Sequence, residues 1–449
     1  MTKTINTREC ILSILMEVNE KKEYSHIAIQ NVLSKYQYLE NQERAFITRT
    51  VEGTLEYQIQ LDYIINCFSK TKTGKMKPVI LNILRFSVYQ LKYMDRVPAS
   101  AVCNEAVKLA VRKGFAGLKG FVNGVLRTIA KNMEQIEFPS RSQDVTAWLS
   151  VTYSLPKWLV TAWLLEYDAD TVARMAESFL KPSDTVIRCN TARITPKQLK
   201  EELDREEVEA ESLPGLPYAF VLKNYDYLQG LESFRKGLFY VQDLSSMLAV
   251  ECAQPKEGNV ILDVCAAPGG KSLHFAEKLA GTGSVCARDL TPYKVEMIRQ
   301  NIEKSGLHNI RAEVWDATVE DKEWIEQADI VLADLPCSGL GVIGRKKDIK
   351  YNMSREQQKE LAALQRKILS VVWQYVKPGG TLLYSTCTVN REENEENLFW
   401  FLSNYPFESV EISSCIPKEF YQESAQNGYI QLLPGSRNDG FFIAKLRRF

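Results

Sequence analysis

The stretch NVILDVCAAPGGKSLHFAEKL, residues 259–279, decides the fold of this chain. A short apolar run typical of a buried parallel strand meets an Ala-Pro-Gly-Gly turn, and a helical pattern opens at Lys271. Because Gly269 and Gly270 lack a Cβ atom, the backbone can approach a ligand closely there, and the first N–H groups of the helix are unpaired donors. The order of strand, glycine turn and helix predicts a nucleotide-type binding corner.

Two interpretations of this corner compete. Gly270-Lys271-Ser272 resembles the end of the P-loop motif G-x-x-x-x-G-K-S, but the first glycine of that motif would fall at Cys265. The alternative is the adenosylmethionine corner of a Rossmann-like methyltransferase. The residues that follow discriminate between the two.

The next predicted strands end in acidic residues or cysteines. One strand ends at Asp289, about twenty residues past the glycine turn, where dinucleotide-binding folds place an acid on the ribose hydroxyls. Later strand ends carry Asp316, then Asp334 with Cys337, then Cys387. Ligands of open α/β sheets bind at the carboxyl ends of the strands, so these groups should face one crevice. This pattern favours the methyltransferase interpretation.

Length and charge indicate a multidomain enzyme with a nucleic-acid partner. At 449 residues the chain is too long for one ordinary domain. The 56 basic residues balance 56 acidic ones, but residues 1–135 hold 20 Lys and Arg against 12 Asp and Glu. A basic front joined to a cofactor-binding domain suits an enzyme that acts on nucleic acid, although this charge alone proves little.

Cysteine and histidine usage argues against disulfides and a metal site. None of the ten cysteines forms a C-x-x-C pair, and the three histidines are His26, His274 and His308. Most cysteines lie in apolar runs, as small core residues do, and we expect His274 simply to belong to the helix after the glycine turn. The lack of a signal peptide or long apolar span predicts a cytoplasmic protein with no membrane partner, and the lack of coiled-coil heptads favours a monomer.

Residues 5–135 are predicted to be wholly helical, because apolar residues recur at three- and four-residue intervals between short polar connections. The simplest interpretation of this helical region is a packing or protein-interaction domain. Candidate RNA contacts in its loops and helix ends are Arg8, Lys70, Lys72, Lys75, Lys77, Arg112, Lys113 and Lys119. Ordinary solvated side chains explain any single one of them equally well.

A small α+β module is predicted between about residues 140 and 235. Strands are expected over DTVIRCNT, YAFVLKNY and GLFYVQD, with a long helix before the first of them and an acidic helix over ITPKQLKEELDREEVEAESL. Arg188 and Asn190 are candidates for RNA or interdomain contacts, with turn capping as an equal alternative.

Four ordered motifs carry a resemblance to a known family. CAAPGGKS, DLPCSG, YSTCT and the terminal GSRNDGFFIAKL together resemble the RNA 5-methylcytosine methyltransferases, specifically the bacterial small-subunit ribosomal RNA methyltransferase B group (RsmB, also called Sun or Fmu). VPASAVCNEAVKLA and KGFVNGVLR resemble the NusB-type RNA-binding fold that this family carries at its front. The chain departs from the family pattern at Leu335, Lys347, Thr388 and Asn438, which puts loop contacts in doubt more than the reaction.

The resemblance implies three domains. They are an all-α NusB-like RNA-binding bundle at 1–138, a small α+β RNA-recognition or linker module at 139–235, and a Rossmann-like class I methyltransferase domain with a seven-stranded α/β sheet at 236–449. The terminal FFIAKL is expected to pair antiparallel near the edge of that sheet.

The resemblance also implies an activity and a cofactor site. The implied reaction moves a methyl group from S-adenosyl-L-methionine to C5 of a cytosine in 16S ribosomal RNA, cytosine 967 in the standard numbering, without a metal. Asp289 would bind the ribose, Asp316 would lie near the adenine and Lys294 would be a weaker neighbour. The implied cofactor-binding residues are Cys265, Ala266, Ala267, Pro268, Gly269, Gly270, Lys271, Asp289, Lys294, Asp316 and Asp334.

Methylation of C5 needs a nucleophile from the protein. C5 of cytosine does not attack a sulfonium methyl by itself, so a thiolate must first add to C6. By resemblance Cys387 is that nucleophile and Cys337 assists removal of the C5 proton, although DNA cytosine enzymes attack with the Pro-Cys cysteine and the sequence leaves the two roles open. Asp334 would contact N3 of the base. Lys271 would assist thiol deprotonation or merely cap a turn.

The loop GVIGRKKDIKYN, residues 341–352, is basic and follows the Cys337 motif. We expect it to hold phosphates of a nucleotide that is splayed into the pocket, and an unstacked loop cytosine is the favoured target. Three rivals stay open: a non-catalytic RNA-binding adaptor, a P-loop NTPase, and the same reaction on a different RNA.

Overall fold

The structure is a computed structural model that describes residues 6–36 and 38–449. These residues form two compact units. The first unit contains the described part of residues 1–180 together with Ile343–Asn352, and the second contains Lys181–Val342 and Met353–Phe449. The domain boundaries at 138 and 235 stay predictions.

The first unit is helical, which confirms the predicted bundle. Its helices up to residue 180 are α1 (Thr7–Lys21), α2 (Ser25–Lys35), α3 (Asn41–Glu56), α4 (Gln58–Phe68), α5 (Pro78–Tyr93), α6 (Ala99–Arg112), α7 (Lys119–Asn132), α8 (Val145–Thr152), α9 (Lys157–Glu166) and α10 (Ala169–Leu180). The apolar stripes of α1 to α7 meet in one core. The helical periodicity of the sequence therefore translates directly into packing.

Two stretches with a continuous helical pattern are each divided into two helices. Tyr57, at φ −101° and ψ 15°, separates α3 from α4, and its ring stacks on Tyr93 with centroids 4.3 Å apart. Asp168 separates α9 from α10, because its carboxylate accepts the backbone N–H groups of Asp170 and Thr171 at 2.9 and 3.0 Å. An aspartate that caps the N-terminus of a helix competes with continuation of the preceding one.

The second unit begins with a four-stranded antiparallel sheet. Its strands are β1 (Thr185–Cys189), β2 (Glu209–Leu213), β3 (Leu216–Lys223) and β4 (Phe239–Val241), in the order β2-β3-β1-β4. The helices beside them are α11 (Pro196–Arg205), α12 (Glu232–Arg235) and α13 (Leu244–Ala253). The small α+β module is confirmed, but the acidic helix was predicted too long: it ends at Arg205 and residues 209–213 pair with β3 as a strand.

The larger sheet of the second unit has the predicted Rossmann-like plan. Its strands are β5 (Val260–Asp263), β6 (Ser284–Asp289), β7 (Ile310–Val314), β8 (Ala328–Asp334), β9 (Val376–Thr386), β10 (Phe407–Ser409), β11 (Tyr429–Leu432) and β12 (Phe441–Arg448). Seven of them follow the order β10-β12-β9-β8-β5-β6-β7, and β11 pairs with β12 as an eighth. Strands β5 to β9 are parallel, and β12 runs antiparallel to β9 as expected for the terminal strand.

Helices cover this sheet and complete the fold. The remaining helices are α14 (Gly270–Lys278), α15 (Pro292–Ser305), α16 (Ile349–Asn352), α17 (Arg355–Val372) and α18 (Glu395–Asn404), of which α16 belongs to the first unit. Ile261 and Leu262, neighbours on β5, lie in two different buried clusters. Burial on both faces is typical of a parallel sheet covered by crossover helices. Among the described residues, no helix is both long and apolar enough for a membrane span.

Candidate active site

The glycine turn joins β5 to α14 next to the point where strand order reverses. Gly269 has φ +103°, a left-handed conformation that disfavours other residues, and a Cβ atom there would lie 3.3 Å from Cγ2 of Ile298. Gly269 is also the N-cap of α14, and no side chain caps this helix start. The turn therefore offers backbone N–H groups and room for a ligand at the carboxyl edge of the sheet.

Asp289 lies beside this turn at the end of β6. Its side chain is buried, and its two carboxylate oxygens accept the N–H groups of Ala267 and Leu290 at 3.1 and 2.8 Å. Lys294, which is half exposed, places Nζ 3.2 Å from the same carboxylate. These bonds fix a buried acid next to the glycine turn, as the sequence predicted.

Two further acids follow the neighbouring strands. Asp316 is exposed just after β7, and the Thr318 N–H and hydroxyl, both at 2.8 Å, lower the pKa of its carboxyl. Asp334 is the last residue of β8. Because β8, β5, β6 and β7 are successive neighbours in the sheet, the three predicted acids stand along one edge with the glycine turn between them.

Lys271 and Asp334 form an ion pair across this edge. Lys271 Nζ lies 2.7 Å from one carboxylate oxygen of Asp334, and the Ser385 hydroxyl donates to the other at 2.7 Å. Burial lowers the pKa of Lys271, but Asp334 and Asp263 outweigh that effect and the net shift is upward. Lys271 is therefore a charged donor held at the strand end, with its ammonium 5.1 Å from the centre of the Phe441 ring.

The two predicted cysteines meet at the ends of adjacent strands. Sγ of Cys337, after β8, lies 3.2 Å from Sγ of Cys387, which directly follows β9. The pKa of Cys337 is raised well above its usual range. The hydrogen bond with Cys387 is the largest cause, and burial is the second. The Cys387 sulfur also lies close enough to Lys271 to favour the charged form of that lysine.

A buried polar cluster behind the cysteines was missed in the sequence. Glu393 accepts the N–H and hydroxyl of Ser338 at 2.8 and 2.5 Å and the amides of Gln365 and Asn390 at 3.1 and 3.0 Å. Its only sequence signal is an acid a few residues past the Thr-Cys-Thr motif. Nothing in the spacing shows that it reaches the residue after Cys337.

Asp263 was also missed, although its signal was available. It closes the apolar run of β5, as Asp289 closes β6, and its buried carboxyl accepts the Ser272 hydroxyl at 2.5 Å. Burial, reinforced by the nearby Asp334, raises the pKa of Asp263 to about 7. This carboxyl lies behind the turn and supports the helix start.

Arg188 and Asn190 do not suit the RNA contact that was considered. Arg188 is fully buried and pairs with Glu277 of α14 at 2.5 Å, while its Nε donates to Gln242 at 2.6 Å. Asn190, also fully buried, donates to the backbone oxygens of Gly237 and Ser305. Both residues join the small module to helices α14 and α15 beside the larger sheet, which agrees with the alternative of a contact between modules. His274 is buried within α14, as expected.

The basic loop at 341–352 is also different from its prediction. Lys347 pairs with Glu56 at 3.0 Å, and Lys350, almost fully buried, donates to the Glu56 backbone oxygen at 2.8 Å. Burial lowers the pKa of Lys350 to about 7. Two of its lysines are therefore committed to the helical unit and are unsuited to holding phosphates; Lys346 is exposed.

The candidate RNA contacts of the helical unit differ in exposure and in ion pairing. Lys70, Lys72, Lys75 and Lys77 are exposed around the connection between α4 and α5. Arg112 and Lys113 pair with Glu9, at 3.7 and 2.5 Å, Arg8 is partly buried, and Lys119 is exposed. Across the described residues, no cluster of three or more His, Cys, Asp or Glu side chains is arranged to hold a metal ion.

Comparisons with known proteins agree with this geometry. Family models match in chain order: the NusB family over residues 5–131, the RsmF/B-like ferredoxin-like domain over 155–226, and the 16S rRNA methyltransferase RsmB/F family over 250–447. A probable ribosomal RNA small subunit methyltransferase B of Bacillus subtilis is 35% identical over 99% of both chains. The ribosomal RNA small subunit methyltransferase B of Cronobacter sakazakii is 33% identical, again over 99% of both.

A solved structure adds the three-dimensional match. The crystal structure of a methyltransferase homolog from Pyrococcus horikoshii is similar over 67% of this chain and 98% of its own, with 27% identity and a TM-score of 0.58. The sequence thus agrees with these relatives over 99% of the chain, and the fold agrees over 67%. The chain belongs to the ribosomal RNA small subunit methyltransferase B family of S-adenosylmethionine-dependent methyltransferases.

Proposed function

We propose that this protein methylates C5 of a cytosine in 16S ribosomal RNA, by family resemblance cytosine 967, through a covalent thiolate adduct at C6. The observation that carries this proposal is the pair of thiols, Cys337 and Cys387, 3.2 Å apart at the ends of adjacent strands beside the Lys271–Asp334 ion pair. Two thiols are what C5 chemistry needs: one sulfur forms the adduct and a second group manages the proton that leaves C5.

The residues around the glycine turn fit adenosylmethionine. The turn has no Cβ at Gly269 and presents the uncapped start of α14, while Asp289 and Asp316 offer carboxylates for ribose hydroxyls and an adenine amine. The remaining predicted contacts of this site are Cys265, Ala266, Ala267, Pro268, Gly270, Lys271, Lys294 and Asp334. When bound, the cofactor supplies an electrophilic methyl group on sulfur.

The two cysteines divide the work at the base. Cys387, next to the Lys271 ammonium, adds to C6 as the thiolate and leaves again at the end of the reaction. On release the C5 proton passes to the Cys337 sulfur while, as the Cys387–C6 bond breaks, the proton that Cys337 already carried passes to the departing Cys387 sulfur. The 3.2 Å contact between the sulfurs provides the path for that last transfer.

Asp334 and Lys271 orient the pyrimidine. The carboxylate is an acceptor for the N4 amine, and the adjacent ammonium can supply a proton at N3 as negative charge enters the ring. The pair therefore matches the hydrogen-bonding edge of cytosine, which carries one donor and acceptors beside it. Uridine would present an oxygen to the carboxylate and would bind less well.

The helical unit is the proposed RNA-binding part. Its exposed lysines at 70, 72, 75 and 77 form a basic connection that suits phosphate contacts. We propose the three domains 1–138, 139–235 and 236–449, with free or early-assembly RNA as the substrate.

The first test measures transfer of labelled methyl from adenosylmethionine to small-subunit ribosomal RNA. We expect Cys387→Ala to abolish transfer and adduct formation, and Cys337→Ala to accumulate a protein–RNA adduct on a denaturing gel, because release is blocked. Cys67→Ala, which changes an exposed cysteine of α4, is the matched control and should behave as wild type. An adduct that requires Cys337 instead of Cys387 would exchange the two roles.

The same assay distinguishes other substrates. Transfer to transfer RNA in place of ribosomal RNA would change the substrate but keep the chemistry. Absence of transfer by wild type to any RNA, free or in a partly assembled subunit, would favour the non-catalytic adaptor.

A melting experiment tests the cofactor site without RNA. Adenosylmethionine at 100 times its dissociation constant should stabilise the protein by about 2.7 kcal/mol, whereas ATP should leave the melting temperature unchanged. Asp289→Ala should remove the shift, since the ribose would lose its acceptor. A shift with ATP alone would revive the P-loop interpretation.

A further inference from the structure

Glu393 is a fully buried carboxylate between the end of β9 and the start of α18. Its oxygens accept four hydrogen bonds, two of them from the backbone N–H and the hydroxyl of Ser338, at 2.8 and 2.5 Å. Gln365 and Asn390 donate the other two. A buried carboxylate with this many donors is costly to remove and is held in one position.

The carboxylate connects the turns that carry the two cysteines. Ser338 directly follows Cys337, and Thr388 directly follows Cys387. The hydroxyls of Ser338 and Thr388 lie 2.8 Å apart. Because the Ser338 hydroxyl donates to Glu393, the Thr388 hydroxyl must donate to Ser338, and the chain of bonds runs from the Cys387 turn to Glu393.

We propose, resting on the function proposed above, that Glu393 is a positioning residue that holds Cys337 and Cys387 in contact and keeps the shared proton on Cys337. The hydrogen bonds of the Glu393 carboxylate run to Ser338, Gln365 and Asn390. Glu393 acts through Ser338 and Thr388, and through the negative charge of its buried side chain.

The surrounding charges support this assignment. The pKa of Cys337 is raised mainly by Cys387 and by burial, and the Glu393 carboxylate raises it further. On the other side of the pair, the Lys271 ammonium lies near Cys387 and is itself bound to Asp334. Tyr384 is a further titratable group close to Cys337. A negative charge behind one sulfur and a positive charge near the other bias the proton toward Cys337.

The test measures alkylation of both cysteines by iodoacetamide as a function of pH in the full-length protein, with mass spectrometry of peptides to assign the site. Glu393→Gln keeps the size of the side chain and removes its charge. We expect the midpoint of Cys337 alkylation to fall by about one pH unit or more. An unchanged midpoint would overturn the proposal.

Tyr384→Phe is the matched control. The Tyr384 hydroxyl donates to the backbone oxygen of Glu393, so its loss weakens the same buried cluster while the carboxylate and its bonds to Ser338 remain. The control should lower the melting temperature and leave the alkylation midpoint in place. An equal shift in both variants would mean that general loosening, and not the carboxylate, sets the midpoint.

Methyl transfer gives the second readout. We expect Glu393→Gln to lower kcat by about 100-fold, the cost of misplacing a reacting group, with KM for adenosylmethionine unchanged. Glu393→Asp, which keeps the charge but shortens the reach, should lower kcat and leave the alkylation midpoint near that of wild type. If neither variant folds, Ser338→Ala breaks the same chain of bonds, and an unchanged kcat in it would contradict the proposal.

The two proposals fail in different ways. Alkylation requires neither RNA nor cofactor, so a shifted midpoint in a protein that transfers no methyl group would refute the reaction and leave the control of the thiol pair intact. Normal methyl transfer by the wild type, with an unshifted alkylation midpoint in Glu393→Gln, would support the reaction and refute the role of Glu393.

Discussion

Asp263 ends β5 behind the glycine turn, and the residue is 1% exposed. Burial raises its pKa to about 7, whereas an unfolded chain would show an aspartate pKa of about 3.9. The folded protein therefore retains a proton that the unfolded chain has already released. The stability from this proton is fully present below about pH 4 and is lost as the pH rises through 7.

Asp263→Asn should remove that dependence, because the amide cannot ionise and can still accept the Ser272 hydroxyl. Between pH 4 and pH 8 the wild-type protein should lose stability relative to the variant, by roughly 4 kcal/mol at most. Urea unfolding of both proteins across this pH range measures the difference, in which other titrating groups cancel. Parallel stability curves would contradict the assigned pKa.

At the scale of elements, two glycines in helices of the same unit have opposite surroundings. A Cβ atom at Gly53 in α3 would lie 2.0 Å from Cζ of the buried Tyr89 ring, whereas one at Gly124 in α7 would meet nothing within 4 Å. Gly53 therefore allows a close approach of an aromatic ring to the helix. Gly124 carries only the entropic cost of glycine.

Gly53→Ala should destabilise the protein by about 1–3 kcal/mol through overpacking, and Gly124→Ala should stabilise it by up to about 1 kcal/mol. Each variant is the control for the other, since both make the same chemical change inside a helix. Chemical denaturation measures the two shifts. The same sign in both would show that packing against Tyr89 does not matter.

Elements that carry their own periodic pattern could be predicted from the sequence. The strands β5 to β9 and the acids and cysteines at their ends follow from apolar runs and the shared edge of a parallel sheet. The ends of α3 and α9 could not, because Tyr57 and Asp168 interrupt a helical pattern that continues through them.

The roles of side chains that depend on a partner distant in sequence could not be predicted either. Glu393 reaches Ser338, 55 residues earlier, and Arg188 reaches Glu277, so neither contact leaves a local pattern. For the same reason Arg188 resembled an exposed cation and Lys347 and Lys350 resembled phosphate contacts. The type of a charged residue does not show whether its side chain is exposed to solvent or paired with a buried partner.

For the whole molecule, the main feature is a helical unit that is discontinuous in sequence. The carboxylate of Asp348 accepts the Ser25 hydroxyl at 2.5 Å and the Ser25 N–H at 3.4 Å, at the first residue of α2. Lys350 donates to the last residue of α3. The segment Ile343–Asn352, which follows the Cys337 motif in the chain, is thus part of the helical unit.

Asp348→Ala should therefore destabilise the helical unit, although the substitution lies far from it in sequence. Loss of a buried acceptor leaves the Ser25 donors unsatisfied and should cost about 1–3 kcal/mol. Lys346→Ala, an exposed change in the same segment, is the control. Thermal unfolding followed by circular dichroism measures both, and equal stability of the two variants would contradict an anchoring role.

This discontinuity also affects how the protein is made. The ribosome finishes α10 about 160 residues before Ile343 is added, which at typical synthesis rates corresponds to roughly 10–30 s. During that interval Ser25 and the end of α3 lack their partners Asp348 and Lys350, which have not yet been synthesised. The helical unit, although it emerges first, can complete its folding only after Cys337 and the segment Ile343–Asn352 have been synthesised.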